Sequence, residues 1–449
     1  MLTQIDYLAI VVYAVAVLLI GYISGRKQTA EGYLISDRKL GIINSVATIN
    51  ASKTGAIILV FTVGVYEYGL AALWYFIGVL LGYATFIPFA VHLHKCSDGK
   101  YYTMAEYFRK NYGRISGIGA TFGTLSAQIG FLSVNLIASA KVLSFFSPLN
   151  FTWSAIFVMS IVLIYILISG FKAVVRTDTF QYLAILFILI AFMFPLSQGT
   201  KIPAENWDLF GSGPVNVLIF LALGLLIPFG QPELWQRIYA MPSVKRVKQA
   251  FIYSIIGFVP VIIALTGIAL LIKTKLPNIE PDIALIHGLA NLLPTGMSGL
   301  AVVVFFACFM SSIDTYTYTS ASSIVKDIFG QSDKKKAVAQ IRLVTIPLMI
   351  FATTISIIVQ DLMNATFIFV GTYLVVAIPA VASYIKKSVK PTTLATSFVV
   401  GITTLIIVVA FGLLNQDLDP MLVPKVLAGS LLGLFIGGFA SWIKKKKVV

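Results

Sequence analysis

The sequence predicts an all-α polytopic membrane protein, and three observations carry this prediction. Of the 449 residues, 58% are hydrophobic and only 11% are charged, whereas soluble domains carry about 25% charged residues. Apolar runs long enough to cross about 30 Å of hydrocarbon recur along the chain. Basic residues collect in alternate connecting segments, which is the pattern of cytoplasmic loops. A single soluble domain is therefore excluded.

About thirteen transmembrane helices are expected, in one transmembrane domain that covers residues 1–449. The first apolar run is too long and unbroken for a signal peptide, so we expect it to be retained as the first span. Cys96 and Cys308 form no CxxC motif, so neither a disulfide framework nor a zinc site is expected. The predicted spans lie near residues 5–24, 42–66, 71–92, 116–146, 152–169, 173–196, 214–236, 249–272, 297–327, 338–359, 364–385, 393–414 and 421–443.

The basic residues predict the orientation of these spans. The net charge is +15, from 33 basic and 18 acidic residues. If the C-terminal lysine run is cytoplasmic, 27 of the basic residues fall in cytoplasmic segments and 4 fall outside, while Lys53 and Lys141 lie within spans. We therefore expect an integral protein of the plasma (bacterial inner) membrane, with its N-terminus outside and its C-terminus cytoplasmic. The positive charge follows from this topology and indicates no nucleic-acid partner.

Two of the predicted spans are interrupted. Residues 50–55 place a small polar stretch in the middle of the second span, and residues 227–232 place two prolines and a glycine in the seventh. Proline removes a backbone donor and glycine permits unusual dihedral angles. Non-helical backbone at membrane depth is tolerated only where it is buried in protein or lines a cavity. The interruptions therefore indicate a site near the bilayer midplane.

The spacing of the two interruptions also predicts the internal symmetry. When the first span is set aside, they fall in helices 1 and 6 of the remainder, as in proteins built from two inverted repeats of five helices. We expect an extra N-terminal helix and loop, two five-helix repeats and two extra C-terminal helices. The corresponding segments are residues 1–41, 42–210, 211–388 and 389–449.

Four charged side chains lie within predicted spans, namely Lys53, Lys141, Asp178 and Asp314. A charge at the centre of a span costs about 2.5–3.5 kcal/mol on insertion scales, so such residues are functional by default. Lys141 is close enough to the end of its span to reach water. Asp178 is compatible both with a functional role and with a solvated helix end. Lys53 and Asp314 have no easy path to water.

A polar stripe follows one face of the ninth span. Ser311, Asp314, Thr315 and Tyr318 are spaced i, i+3, i+4 and i+7, with Ser312 beside them. Oxygen ligands of this kind suit a small cation. The alternative is that the hydroxyl groups cap their own helix or join neighbouring helices. The carboxylate on the same face favours a cation or proton site.

The chain resembles the sodium:solute symporter family in four motifs that occur in matching order. The resemblance extends to about residue 390 and implies a LeuT-type fold. It also implies that sodium entry is coupled to uptake of a sugar, an amino acid, a carboxylate or sialic acid. The motifs are the loop at residues 33–40, the Gly, Ala-Val, Thr-Asp and Gln pattern at 170–181, the Gln-Arg motif at 231–237 and the Ser-Ser helix at 311–329.

The resemblance implies roles for particular residues. A principal sodium site is implied at the carbonyls of Asn50, Lys53 and Cys308 and the hydroxyls of Ser311 and Ser312. A second sodium site, present in some members, corresponds to Asp178, Ser311, Asp314 and Thr315. The implied substrate contacts are Ser52, Thr54, Gln128 and Asn135. We expect a gate at Ile227, Pro228, Phe229 and Gly230.

Two residues depart from the family pattern. Lys53 stands where an apolar side chain is usual, and Asp314 where a small or hydroxyl residue is usual. One hypothesis is that Lys53 pairs with Asp314 or Asp178 and partly replaces a sodium ion, because a buried charge is tolerated when it is paired. The others are that Lys53 points into a water-filled vestibule or holds a substrate carboxylate. Both sodium and proton coupling are compatible with these departures.

The expected function is secondary active symport of a small polar organic solute with sodium, or with protons, as the coupling ion. No organic cofactor is expected. No Walker A or HExxH motif occurs, and no nucleophile and base are paired in the spans, so an enzyme is not expected. The alternatives are an uncoupled facilitator or channel and a transporter-like sensor. The expected partners are the solute, the ion and the lipid bilayer, and the oligomeric state is left open.

Overall fold

The computed structural model describes residues 3–26, 28–168, 170–385, 389–415 and 422–446. These residues form α-helices, short 3₁₀ turns and one π turn, and no strand occurs among them, so the all-α prediction is confirmed. The α-helices are α1 Gln4–Gly25, α2 Ala30–Ile35, α3 Ile42–Ala51, α4 Ile57–Tyr68, α5 Leu73–Ser97, α6 Met104–Phe146, α7 Phe151–Ile168, α8 Phe171–Ser197, α9 Gly213–Gly230, α10 Pro232–Ala240, α11 Val244–Lys275, α12 Ala284–Leu292, α13 Ser298–Ser323, α14 Lys334–Val359, α15 Leu362–Ile385, α16 Pro391–Asn415 and α17 Leu422–Lys446.

Within the described ranges, 11 helical segments are long and apolar enough to cross a membrane. One of them, Ile57–Ser97, holds both α4 and α5 and has 41 residues, about twice the length that one crossing needs. The helix α3 and the described part of α7 are apolar but shorter. The chain is thus an integral membrane protein. Thirteen crossings stay a prediction. That number requires α3 and α4 to form one crossing together, α5 to form a second and α7 to form a third.

The burial of the helices separates the centre of the molecule from its rim. In α13, 83% of the membrane-spanning window is buried, against 22% in α1, 22% in α16 and 28% in α17. The last three are the helices predicted as additions to the two repeats. Their exposed leucine, isoleucine and phenylalanine side chains suit a lipid environment, where apolar surface needs no protein cover.

The first predicted interruption lies between α3 and α4. Helix α3 ends at Ala51, and α4 begins at Ile57. The side chain of Asn135 on α6 accepts a hydrogen bond from Ala56 N at 2.8 Å, which satisfies a backbone donor that the interruption leaves free. Gly55 is required because a β-carbon there would lie 2.5 Å from Asn135 Oδ1 and 2.8 Å from Ser312 Cβ.

The second interruption separates α9 from α10 at Gln231. Pro232 occupies the first turn of α10, where its missing N–H leaves no gap in hydrogen bonding. Trp235 Nε1 donates to Phe229 O at 3.1 Å, across the interruption. Gly230 lies directly against the backbone of Tyr373 on α15, so a larger residue would displace one of the two helices.

Small residues also bring α5 and α9 together. A β-carbon on Gly78 would lie 3.0 Å from Gly224 Cα, and one on Gly82 would lie 2.8 Å from Gly224 O. Close backbone approach through small residues is the usual means of helix packing in membranes, because lipid provides no hydrophobic drive for association. This packing holds α9, and therefore the second interruption, against α5.

Candidate functional site

The first interruption faces the polar stripe of α13. Ser311 Oγ lies 3.1 Å from Ala51 O and 2.9 Å from Cys308 O. Ala51 O also accepts from Thr54 N at 3.1 Å and from Thr54 Oγ1 at 2.8 Å. Ser312 is fully buried, and its hydroxyl has no hydrogen-bond partner among the described residues. The structure thus brings two carbonyls and the Ser311 hydroxyl together between α3 and α13, with the unpartnered Ser312 hydroxyl next to Gly55 of the interruption. Oxygen atoms of this kind suit a small cation.

Of the five residues predicted for the principal sodium site, Cys308 and Ser311 are joined by a hydrogen bond on α13, with Ser312 next to Ser311 in the chain. Sodium binding by these residues stays a prediction. The carbonyl that faces them from α3 is that of Ala51, whereas Asn50 O accepts from Lys53 N at 3.0 Å. Successive residues of a helix are rotated by about 100° about its axis, and no hydrogen bond joins Asn50 O to α13 among the described residues. The Asn50 amide instead donates to Tyr182 Oη at 3.2 Å.

Asp178 is fully buried, which contradicts the alternative of a solvated helix-end acid. Its Oδ2 accepts hydrogen bonds from Thr48 Oγ1 and from Arg237 Nη2, the latter at 3.4 Å. Arg237 Nη2 also donates to Thr315 Oγ1 at 3.0 Å, and Arg237 Nε donates to Thr48 Oγ1 at 2.9 Å. A guanidinium therefore lies between Asp178 and Thr315, where the resemblance implies a second sodium ion.

Arg237 is a functional residue that sequence reasoning missed. Its place at the end of the seventh predicted span predicts a cytoplasmic residue. Arg237 is instead 1% exposed, and it hydrogen-bonds to α3, α8, α10 and α13. Its place in the Gln-Arg motif, five residues after the proline of the second interruption, was the available signal. Burial of a guanidinium is tolerated here because four oxygen atoms accept its hydrogen bonds.

Asp314 does not join the set formed by Asp178 and Thr315. It is fully buried, and neither of its carboxyl oxygens has a hydrogen-bond partner in the described structure. The hydroxyl groups of Tyr165 and Thr177 face it without forming a hydrogen bond of good geometry. Asp314 and Thr315 are consecutive, so they point about 100° apart on α13. For this reason only Thr315 meets Arg237.

Beside the first interruption lies a cavity of about 130 Å³. Its wall is mostly apolar and includes aromatic side chains: Phe131 and Tyr373 stack with their ring centroids 4.8 Å apart, and Tyr316 lies next to Phe131 at 6.1 Å. Lys53 lines it from the interruption. Besides Lys53 and the tyrosines, the polar side chains of the lining are those of Ser52, Glu67, Asn135, Asn216, Gln231 and Thr366.

The cavity separates the four predicted substrate contacts into two pairs. Ser52 and Asn135 line it. Thr54 and Gln128 lie outside its lining: the Thr54 hydroxyl donates to Ala51 O, and Gln128 Nε2 donates to Glu233 Oε2 at 2.7 Å. Their side chains are thus committed to the protein. Substrate contact stays a prediction for the first pair, and the geometry disfavours it for the second.

Lys53 does not pair with Asp178 or Asp314. Its side chain is 7% exposed and lines the cavity, and across the described ranges no hydrogen bond or ion pair to its ammonium occurs. Its counter-charge is Glu233 on α10, which acts on it across a longer distance. Glu233 is a second residue that sequence reasoning missed, since it belongs to the Gln-Arg motif and was given no role.

The four residues predicted to form a gate occupy the last turn of α9 and are all buried. Ile227 lines the cavity. Phe229 packs edge-on against Phe86 of α5, with ring centroids 5.1 Å apart. Pro228 and Gly230 lie between these contacts and the interruption. Their role as a gate stays a prediction.

The comparisons with known proteins decide the family. A model of the sodium:solute symporter family matches residues 33–199 and 206–404, which is most of the chain. The chain belongs to the sodium:solute symporter family. As a member of this family it is a transporter rather than an enzyme, and the family implies sodium as its coupling ion and a solute as its cargo.

Curated members of the symporter family are similar to the chain over most of their length. Sodium/proline symporter 2 of Staphylococcus saprophyticus is 27% identical over 366 residues, which cover 74% of this chain and 70% of the relative. The osmoregulated proline transporter OpuE of Bacillus subtilis is 24% identical over 355 residues, covering 73% and 71%.

Solved structures confirm the LeuT-type fold of this symporter. A substrate-bound, outward-open sodium-coupled sialic acid symporter superimposes with a TM-score of 0.77 at 16% identity, covering 97% of this chain and 98% of that one. Mhp1, a transporter of the nucleobase-cation-symport-1 family, gives a TM-score of 0.56 at 14% identity, covering 92% and 95%. At these identities the similarity concerns the fold alone.

A polar network around Arg38 joins several segments of the symporter. Arg38, just after α2, donates to Tyr101 O and Tyr239 O at 3.1 Å each and to Glu31 Oε1 at 3.1 Å. Lys334 Nζ lies 2.9 Å from Glu31 Oε2. Partial burial opposes ionisation, but the hydrogen bonds from Lys334 and Tyr102 and the charge of Arg38 outweigh it and lower the pKa of Glu31. The network ties α2 to α10 and to the α5–α6 loop.

Proposed function

We propose that this chain is a secondary active symporter that uses an inward sodium gradient to take up a small polar organic solute, namely a sugar, an amino acid or a carboxylate. The observation that carries the proposal is the contact of Ser311 Oγ with Ala51 O and Cys308 O. A cation held there would fix the interrupted backbone of α3 against α13. The bundle of α3–α4, α5, α9–α10 and α11 then moves against the rest of the fold in alternating access.

The proposed sodium ligands are the carbonyls of Ala51 and Cys308 and the hydroxyls of Ser311 and Ser312. Ala51 replaces Asn50 and Lys53 in this set because its carbonyl contacts Ser311 Oγ, whereas no hydrogen bond joins the carbonyl of Asn50 or of Lys53 to α13 among the described residues. Residues 51–53 serve both sites, because Ala51 O faces α13 while Ser52 and Lys53 line the cavity. Ordering this short segment at one site lowers the conformational cost of binding at the other, which is the physical basis of coupling.

We propose that a single sodium ion accompanies each solute. The residues implied for a second ion do not form one site: Asp178 and Thr315 hydrogen-bond to Arg237, and Asp314 faces α7 and α8. The guanidinium supplies the positive charge beside Asp178. A second cation there would meet a like charge at hydrogen-bond distance, which is strongly unfavourable in a buried site.

Proton coupling is the second candidate function, and Asp314 is the observation that favours it. An isolated buried carboxylate is costly, so Asp314, with neither oxygen hydrogen-bonded within the described structure, needs a proton or a cation as its partner. A proton taken up from outside and released inside would drive solute entry without sodium. The test below separates the two ions.

The test is uptake by the purified protein in proteoliposomes, with pooled sugars, amino acids and carboxylates as labelled solutes. Inward gradients of sodium, of protons, of both and of neither are compared. We expect accumulation above equilibrium with sodium alone. Accumulation with protons alone would replace the sodium proposal by proton coupling, and solute entry that never exceeds equilibrium would replace it by an uncoupled facilitator.

A variant pair connects this test to the proposed sodium ligands. Ser311→Ala removes a hydroxyl at the interruption, whereas Ser322→Ala removes an equally buried serine hydroxyl further along α13. We expect Ser311→Ala to raise the sodium concentration for half-maximal uptake at least about tenfold, the scale of one lost interaction with a charged group. We expect Ser322→Ala to leave it unchanged. Equal effects of the two variants would contradict the proposed ligand set.

The topology and the internal division complete the proposal. We propose that the protein lies in the plasma membrane of a bacterium, with its N-terminus outside and its C-terminus in the cytoplasm. The predicted division into residues 1–41, 42–210, 211–388 and 389–449 is retained. The peripheral positions of α1, α16 and α17 support it, since helices outside the two repeats have no need to reach the central site.

A further inference from the structure

We propose that Lys53 binds a carboxylate of the transported solute, and that the solute is a compact apolar molecule carrying that carboxylate. The inference rests on the proposed function, because it assigns the solute of the same central cavity. It starts from a residue at which this chain departs from its family, namely a lysine in the first interruption. The position of Lys53, the lining of the cavity and its volume each contribute to the argument.

Of the four charged residues predicted within spans, Lys53 and Asp314 have no hydrogen-bond or ion-pair partner in the described structure, and of these two only Lys53 lines the cavity. Asp178 is paired with Arg237, and Lys141 is paired with Asp282. Lys53 has no hydrogen-bond or ion-pair partner within the described residues, although it is only 7% exposed. A buried charge needs a partner, and the group lines a cavity. A solute anion that enters the cavity would supply the partner.

Glu233 does not remove this requirement. Its Oε2 accepts from Gln128 Nε2 at 2.7 Å, and it lies outside the lining of the cavity. It attracts the ammonium without forming an ion pair. Glu233 thus balances part of the charge of Lys53 without using its ammonium hydrogens, which are left for a ligand in the cavity.

The remaining wall of the cavity fits an apolar body better than a sugar. Phe131, Tyr316 and Tyr373 present aromatic surface. Asn135 is committed to the protein, because its oxygen accepts from Ala56 N and its amide donates to Phe131 O at 2.7 Å. A sugar has many hydroxyl groups, and most would lose their water without gaining a partner, at a cost for each.

The volume limits the size of the solute. At about 130 Å³, the cavity is slightly smaller than an engineered cavity of about 150 Å³ that binds benzene. A carboxylate on a branched, cyclic or aromatic body of five or six carbon atoms is the matching class. Two sources share this chemistry: a simple monocarboxylate anion, and an amino acid with a compact apolar side chain or ring.

The first experiment uses acid and amide pairs in the proteoliposome assay under an inward sodium gradient. Isobutyrate, cyclopentanecarboxylate, benzoate and proline are compared with their carboxamides, and glucose is included. We expect the solute that sodium drives to be one of the acids, and its carboxamide to compete at least about tenfold more weakly. Sodium-driven uptake of glucose or of another solute without a carboxylate would overturn the inference but leave the proposed function standing. If no solute responds to sodium, the proposed function itself fails.

The second experiment substitutes Lys53 itself. Lys53→Met should weaken binding of the acid by about 10- to 100-fold, the range for a hydrogen bond to a charged group, and leave the affinity for the carboxamide within about threefold of wild type. The control is Lys273→Met, a lysine that donates to Val65 O at the end of α11. Equal loss of acid and carboxamide binding, or no loss, would overturn the inference.

Sodium binding shows whether the variant is folded, because the proposed sodium ligands do not include the Lys53 side chain. A sodium-dependent rise in melting temperature for Lys53→Met shows a folded protein, and Lys53→Gln provides a second variant if the first does not fold.

Transport currents distinguish the two sources of the carboxylate. A monocarboxylate entering with one sodium ion carries no net charge, whereas a zwitterionic amino acid entering with one sodium ion carries a positive current.

Discussion

Single residues set the geometry of the central site, and Gly55 shows how narrow the tolerance is. A β-carbon at this position would lie 2.5 Å from Asn135 Oδ1 and 2.8 Å from Ser312 Cβ. Both neighbours have roles, since Asn135 holds the start of α4 and Ser312 is a proposed sodium ligand. The absence of a side chain at residue 55 therefore allows α4, α6 and α13 to meet.

Gly55→Ala is expected to impair both folding stability and sodium binding. Overpacking at a buried position costs about 1–3 kcal/mol, and here it displaces a proposed ligand as well. The control is Gly41→Ala, because no atom lies within 4 Å of a β-carbon at residue 41. Thermal unfolding and sodium-driven uptake are measured for both variants. Normal sodium affinity in Gly55→Ala would show that Ser312 has no part in the site.

Arg237 is the residue that makes the site different from the sequence-based expectation. Removing one partner of a buried ion pair costs about 3–5 kcal/mol, so Arg237→Met should destabilise the protein strongly. Arg237→Lys keeps the charge but loses the planar set of donors that reaches Thr48, Asp178 and Thr315. We expect partial stability and slow uptake for this variant.

The dependence of wild-type uptake on sodium tests whether Arg237 replaces a second ion. We expect a Hill coefficient close to 1, because one ion site is proposed. The control for the positive charge lost in Arg237→Met is Arg246→Met, because the Arg246 side chain is exposed at the start of α11. A wild-type Hill coefficient near 2 would show that sodium binds beside Asp178 in spite of the guanidinium.

At the scale of elements, we expect the network around Arg38 to hold one closed arrangement of the molecule. It joins α2 to α10 and to the α5–α6 loop through the carbonyls of Tyr239 and Tyr101. Glu31 has a lowered pKa, so its ion pairs stabilise the closed arrangement above the ordinary pKa of a glutamate. This stabilisation is lost as the pH falls through the lowered value.

Arg38→Ala is expected to open the closed arrangement. The native Cys308 reports on opening, because it is fully buried next to the proposed sodium site. In a Cys96→Ser background, a water-soluble maleimide should label Cys308 faster in Arg38→Ala than in the parent, and sodium should slow the reaction. Lys100→Ala, whose lysine pairs with Asp98 at the surface, is the control. Equal labelling rates would show that the network does not hold the closed arrangement.

At the scale of the whole molecule, sodium and solute share the segment of residues 51–53, so their affinities are linked. Saturating sodium should raise the affinity for the solute by about 5- to 150-fold, and saturating solute should raise the affinity for sodium by the same factor. Equilibrium binding of both ligands to the purified protein measures the two factors. Ser311→Ala should bring the common factor close to 1, and a factor near 1 in the wild type would contradict the linkage.

The sequence by itself determined the class of the molecule and the positions of its interruptions. Composition alone excludes a soluble fold, because soluble domains carry many more charges. Residues 50–55 and 227–232 combine polar residues, glycine or proline and mark the two interruptions, whereas single prolines such as Pro260 and Pro379 lie inside continuous helices. The stripe on α13 was also readable, since helical periodicity places Ser311 and Thr315 on one face. The tertiary structure decided which partners these residues meet. Arg237 lies next to Asp178. Lys53 lines the cavity and is attracted by Glu233. Ala51 rather than Asn50 contacts Ser311. These contacts join residues far apart in the chain, and they depend on the rotation of each helix about its axis, which packing against several neighbours sets and local sequence does not.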